Sequence, residues 1–249
     1  LLRLVLKKSP KKYICLLWLL AGIRLLMPIE IRSDLSLQPE FTLPVWNLPG
    51  FLPWVWGAVA ICFGIYSLIS YRKLKARVRE AVRIRGGWEC DKIDTAFILG
   101  FIKPRIYIPM GMNKQARKHI LEHERTHLDK GDHWIKMIGF LALALHWFNP
   151  LVWMFQKQIG RVCELACDER VIKGFSSEEK QAYSAALLEC SIPLRWITAC
   201  PLAFGETSVK SRIKSVLSYK KPTIWIIVAA LLVSTVAGVC LLTDRPVAE

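Results

Sequence analysis

ARKHILEHERTHL, residues 116–128, decides the reading of this chain. Its residues favour a helix throughout, and Asn113 stands three positions before it as a plausible cap. Inside it lies His123-Glu124-Arg125-Thr126-His127. On a helix His123 and His127 are one turn apart and share a face, so both imidazoles reach one metal ion. Glu124 lies next to that face, within reach of a metal-bound water. Zinc lowers the pKa of such a water toward ~7, and a carboxylate beside it takes the proton as the water attacks a peptide carbonyl. The bland alternative is an exposed helix with two solvated histidines.

A third protein ligand is needed, and downstream RVCELACDER, residues 161–170, offers one. Glu164 and Asp168 are spaced i, i+4 and face the same way on a helix. A Glu ligand with a supporting Asp fits that spacing, the Asp accepting the other ring N–H of a ligating His. Val162, Cys163, Leu165, Ala166 and Cys167 mark the helix as buried, and buried carboxylates need a partner. Cys163 and Cys167 compete as ligands, although a thiolate pair more often signals a closed structural site. His133 and His146 are also available, each more simply read as a core or interface histidine.

Upstream, TAFILGFIKPRIYI, residues 95–108, reads as two short strands broken at Gly100 and at Lys103-Pro104. We expect Arg105, Ile106, Tyr107 and Ile108 to form a sheet edge beside the metal, where an extended peptide pairs by main-chain hydrogen bonds. The bland alternative is an ordinary structural strand.

Composition sets the surroundings. The chain has 249 residues, 53% hydrophobic, with net charge +15 and mean hydropathy +0.31. Ten Trp and ten Phe exclude disorder. A soluble nucleic-acid binder explains the charge but not the hydropathy, and no direct nucleic-acid binding is expected. Membrane insertion explains both. Three segments approach the ~20 apolar residues a bilayer requires: 13–29, 51–70 and 223–243. Basic residues flank them at 7–12, 72–85 and 220–221, whereas the loop between the first two is slightly acidic. The positive-inside rule therefore puts the basic flanks in the cytoplasm and the 30–50 loop outside. A fourth apolar stretch, 134–155, lies between two basic regions. It reads as a buried or half-inserted helix against the membrane, broken near Pro150. The eight Cys are scattered without a CxxC pair and read as reduced packing residues. The opening LLRLVLKK, without Met, reads as the tail of an earlier span.

The expected class is thus mainly α: a polytopic helical membrane protein with a cytoplasmic zinc-binding domain that contains a small β-sheet. Residues 1–70 are transmembrane helices and an external loop. Residues 71–221 are the cytoplasmic metallopeptidase domain with its membrane-associated stretch near 134–155. Residues 222–249 are a last span and a short external tail.

Several blocks go beyond a lone HExxH. They include KKYICLLWLLAGIRLLMP at 11–28, LGFIKPRIYIP at 99–109, LEHERTHLDKGDHW at 121–134 and LALHWFNPLVW at 143–153. They continue with ELACDERV at 164–171, PLAFGE at 201–206 and VKSRIKSVL at 209–217. Together they resemble the transmembrane metallopeptidase part of the BlaR/MecR-type β-lactam sensor-transducers. The resemblance implies a gluzincin-like zinc domain at the cytoplasmic face of the plasma membrane, anchored in the lipid bilayer by several passes. It implies His123, His127 and Glu164 as Zn2+ ligands, Glu124 as general base and Asp168 as a supporting residue. It also implies an endopeptidase in antibiotic-resistance signalling, with a cytoplasmic transcriptional repressor, the chain itself, or both as protein substrate. Oligomerisation is compatible with this reading. The residues after Leu242, TDRPVAE, hold no Ser-x-x-Lys nucleophile of a penicillin-binding sensor, so the resemblance extends to the peptidase part. Two other classes compete: a housekeeping membrane zinc protease of the HtpX or prenyl-protease type, and a catalytically silent signalling scaffold. HWFNPLVW and ELACDERV favour the signalling peptidase over the first. Glu124, which a purely structural zinc site does not use, disfavours the second.

Overall fold

The structure, a computed structural model, describes residues 49–100, 102–190, 209–219 and 223–244, together with 11, 14, 15, 18, 31 and 32. It is mainly helical with a small sheet. The span expected at 13–29 and the PLAFGE block lie almost wholly outside the described residues. After the two-residue strand β1 (Ile31–Arg32) comes α1, Leu52–Arg77. Its only buried residue is Leu74, while Trp54, Ile61, Ile65 and Leu68 are exposed. Among the described residues α1 is the one helix long and apolar enough to cross a membrane.

Four strands follow: β2 (Val82–Ile84), β3 (Gly87–Cys90), β4 (Phe97–Leu99) and β5 (Arg105–Pro109). Their order in the sheet is β2-β3-β5-β4, with β3 and β5 parallel and the other pairs antiparallel. The order corrects one expectation. Arg105–Ile108 is a strand, but it is hydrogen-bonded to β3 on one side and β4 on the other, so it is not an edge. Its backbone is committed to the sheet, and its side chains serve cores on both faces. Ile106 and Ile108 pack under the helical layer. Tyr107 stacks on Phe97 in a second cluster with Val78, Cys90 and Ile93. Arg105 lies over the Trp88 ring. Among the described residues the free edges of this sheet are β2 and β4.

The helical layer begins with α2, Lys114–Lys130, where the Asn113 side chain accepts from the Gln115 N–H as expected. Ala116, Ile120, His123 and His127 form its buried stripe. It stops at Gly131, whose φ of 67° lies in the left-handed region that glycine adopts without steric cost. That reversal starts α3, Asp132–Leu145, at once. The apolar stretch 134–155 breaks where expected. Helix α3 ends at Leu145, and α4, Pro150–Val171, begins with Pro150 in its first turn and Asn149 as its cap. A 3-10 turn (Ile172–Gly174) leads to α5, Ser177–Glu189, closed at its start by a Ser176–Glu179 capping box.

Then come α6, Val209–Leu217, and α7, Ile224–Leu242, which contains no charged residue. The first part of α7, Ile224–Val233, is a shorter apolar stretch than α1. The closing strand β6, Thr243–Asp244, pairs in parallel with β1. The main core joins the inner face of the sheet to α2, α4, α5 and α6 through Ile106, Ile108, Ile120, Val171, Tyr183 and Val216.

Candidate metal centre

Helix α2 projects His123 and His127 inward one turn apart, and α4 crosses it so that Glu164 meets them. His123 Nε2 and His127 Nε2 are 3.1 Å apart. Glu164 Oε2 lies 3.4 Å from the first and Oε1 3.5 Å from the second. All three residues are buried. A tetrahedral zinc with ligand bonds of about 2.0–2.1 Å spaces its ligand atoms by roughly 3.3–3.4 Å. The three donors therefore already stand close to three corners of such a polyhedron, and two imidazoles with one carboxylate suit the chemistry of zinc.

The charges are balanced within the site. Burial drives the Glu164 carboxyl toward its neutral form. The charges of His127 and Arg212 and hydrogen bonds from both histidines win, and it lies well below the ordinary carboxylate range. Burial likewise opposes charge on His127, but Glu164 and Asp132 hold it well above the ordinary imidazole range. Lys136, 3.8 Å from Glu164 Oε1, is also raised against burial, by Glu164 and Glu124. Glu124 is half-buried on the adjoining face of α2.

Each histidine is held from behind by a different device. His127 Nδ1 is 2.6 Å from Asp132 Oδ2, a contact made possible by the reversal at Gly131. Cys167 Sγ lies 3.2 Å from both groups, and Lys130 Nζ 3.6 Å from Asp132. With Nδ1–H donated to Asp132, a metal that displaces the proton on Nε2 would find that lone pair aimed at the triangle. His127, Asp132 and Cys167 are close enough to form a metal trio themselves. That trio would need the same imidazole through Nδ1, so we read it as the support of His127. Behind His123, Nδ1 donates to the Tyr183 hydroxyl at 2.8 Å, which donates to Asp168 Oδ1 at 2.7 Å. Asp168 Oδ1 is also 3.3 Å from His123 Nδ1. Arg212 closes this side, with Nε and Nη2 2.8 and 2.7 Å from the two Asp168 oxygens.

The structure thus brings His123, His127, Glu164 and Asp168 together, with Glu124 the half-buried next residue of α2. Arg105 to Ile108 remain in the sheet. Of the other ligand candidates, Cys167 sits behind His127, while Cys163 Sγ faces Cys15 Sγ at 3.4 Å, His146 turns to the Ala142 carbonyl, and His133 lies against Trp134. Asp132, Lys136, Tyr183 and Arg212 join the site without being singled out by the sequence. Asp132 had a local signal in the Gly131-Asp132 pair after HExxH, and Arg212 stood in the VKSRIKSVL block. Tyr183 sits in a segment, SEEKQAYSAALLE, with nothing in its pattern to mark it.

Comparison with known proteins gives the chain its relatives. The methicillin resistance mecR1 protein of Staphylococcus aureus is 26% identical over 137 residues, 52% of this chain and 23% of its own length. The mecR1 protein of Staphylococcus epidermidis matches to the same degree. The regulatory protein BlaR1 of Bacillus licheniformis is 28% identical over 136 residues, 51% of this chain and 22% of its own length. The matched region is therefore under a quarter of each of these relatives. A family profile, BlaR1 peptidase M56, matches residues 43–216, which take in α1, the four-stranded sheet and every residue of the histidine and carboxylate cluster. By that match the chain belongs to the BlaR1 peptidase M56 family.

Proposed function

We propose that this chain is a zinc-dependent membrane endopeptidase that signals by cleaving a cytoplasmic protein. The observation that carries the proposal is the donor triangle of His123, His127 and Glu164, with Glu124 beside it. Bound there, zinc would supply Lewis acidity and a water of lowered pKa. Glu124 takes the proton from the attacking water and returns it to the departing amine nitrogen. Asp132 and the Tyr183–Asp168 pair hold the two imidazoles with Nε2 toward the ion. An extended substrate pairs with β4, the sheet edge next to α2, rather than with β5.

The membrane setting is part of the proposal. Residues 1–70 and 222–249 hold the spanning helices, and 71–221 form the cytoplasmic domain. The exposed apolar faces of α1 and the start of α7 support this. So does the exposed set Leu141, Leu145, Phe148, Leu151 and Met154 at the α3–α4 junction, which touches α1 through a bond from Trp56 Nε1 to the Leu145 carbonyl. Strands β1 and β6, which follow the expected first and last spans in sequence, pair in parallel, in keeping with both chain ends lying on one side. The names of the relatives place them in methicillin resistance and regulation. By analogy we assign this chain a transcriptional repressor, itself, or both as substrate. The test is Glu124→Gln in the full chain. It should keep one zinc per chain by elemental analysis and lose repressor cleavage and self-cleavage. Retained cleavage would overturn the assignment of Glu124, and absence of zinc from the unaltered protein would overturn the metal centre.

A further inference from the structure

We propose that Arg212 is a second electrophile of this site, donating from Nη1 to the scissile carbonyl oxygen and stabilising the oxyanion that forms there. The proposal rests on the peptidase reading above. Position is the first argument. The guanidinium reaches two of the three donor atoms at once, with Nη2 3.1 Å from His123 Nε2 and Nη1 3.2 Å from Glu164 Oε2. No other cation in the described residues comes as near. Lys136 stays 3.8 Å from Glu164 and carries its charge on a flexible stem.

Preorganisation is the second. Asp168 takes Nε and Nη2 fork to fork, a geometry that a guanidinium makes and an ammonium does not. The arginine side chain is 13% exposed and its carboxylate partner 2%. A cation fixed in this way does not reorganise as charge develops, which is what makes an oxyanion donor effective.

Hydrogen count is the third. A guanidinium carries five N–H groups. Two go to Asp168, one faces Glu164 and one faces His123, so one on Nη1 has no protein partner among the described residues. The Tyr183 hydroxyl, the other nearby donor, is already committed between His123 and Asp168.

The chemistry balances without any change in Arg212. As the water oxygen adds to the carbonyl carbon, the C=O π pair moves onto oxygen, and Nη1–H meets that charge. The pair returns as the C–N bond breaks, and the water's proton reaches the amine nitrogen through Glu124.

The experiment uses the full zinc-loaded chain in detergent, with Arg212→Gln and Arg212→Lys. Zinc is measured by elemental analysis. Two probes are titrated calorimetrically: N-phosphoryl-Leu-Trp, whose tetrahedral anion resembles the oxyanion, and mercaptoacetyl-Leu-Trp, which has no such group. Arg212→Gln, whose side-chain amide still donates to Asp168 in place of the fork, should keep zinc at saturating metal and its affinity for the thiol, yet bind the phosphoryl probe about 10²-fold more weakly. Arg212→Lys should keep its zinc, because a cation remains beside Asp168 and Glu164, and still lose about tenfold or more on the phosphoryl probe. Unchanged phosphoryl affinity in a zinc-loaded variant overturns the proposal. Loss of zinc from both variants also overturns it, making Arg212 a structural brace. Unaltered protein that holds no zinc, or holds zinc and binds neither probe, defeats the peptidase reading itself and is distinct from both.

Discussion

The two histidines of the site are held by opposite strategies. His127 is secured from its own hairpin: Asp132, five residues on, is turned back by Gly131. His123 is secured from three other helices, by Tyr183, Asp168 and Arg212, the last 89 residues away in sequence. The local device needs one left-handed glycine and two short helices. The distant one needs α4, α5 and α6 all docked, so its strength is that of the fold. Identical ligands on one helix face can therefore depend on very different parts of the chain.

Breaking the distant side should cost most. Asp168→Ala leaves the Arg212 guanidinium buried without its fork partner, and removing one member of a buried pair costs about 3–5 kcal/mol. Denaturant unfolding of the purified chain should show this as a large drop in midpoint, with loss of zinc. An unchanged midpoint would mean that the distant side does not hold the fold. Asp132→Asn tests the local side. It should lower zinc affinity about 10–100-fold, or roughly 1.4–2.7 kcal/mol, in a chelator competition, with a smaller shift in unfolding than Asp168→Ala. If Asp132→Asn unfolds the protein as readily, the two sides are not distinct.

Tyr183→Phe sharpens the comparison, because it removes one hydroxyl that bridges His123 and Asp168. Two buried groups each lose a partner, at about 1–2 kcal/mol of stability, and the Asp168–Arg212 fork should survive, visible as retained zinc at saturating metal. The smallest effect is expected from Gly131→Ala. A side chain at φ 67° costs about 1 kcal/mol, and zinc affinity should fall slightly as Asp132 is displaced. No change in either would show that the reversal tolerates a Cβ.

The same contrast explains what the sequence could reveal. His123, Glu124 and His127 were legible because helical spacing alone puts them on one face or beside it. Glu164 and Asp168 were legible for the same reason, on a second helix whose apolar neighbours marked it as buried. Tyr183 was not, because its role is fixed by the packing of α5 against α2 and not by any local period. The strand at 105–109 was visible as a strand, but whether it is an edge depends on where β3 lands. That pairing joins Trp88 to Tyr107 and Glu89 to Ile108 across a connection that itself contains β4. The break near Pro150 was legible because a proline acts on the chain within a few residues of itself.

The reach of Arg212 back to His123 also has a consequence for biosynthesis. At about 5–20 residues per second, the ribosome takes roughly 4–18 s to go from one to the other. Throughout that interval the HExxH helix exists without the far side of its support. The ligand set and the guanidinium that meets it are therefore made at different times, and the cluster is complete only once translation has passed α6.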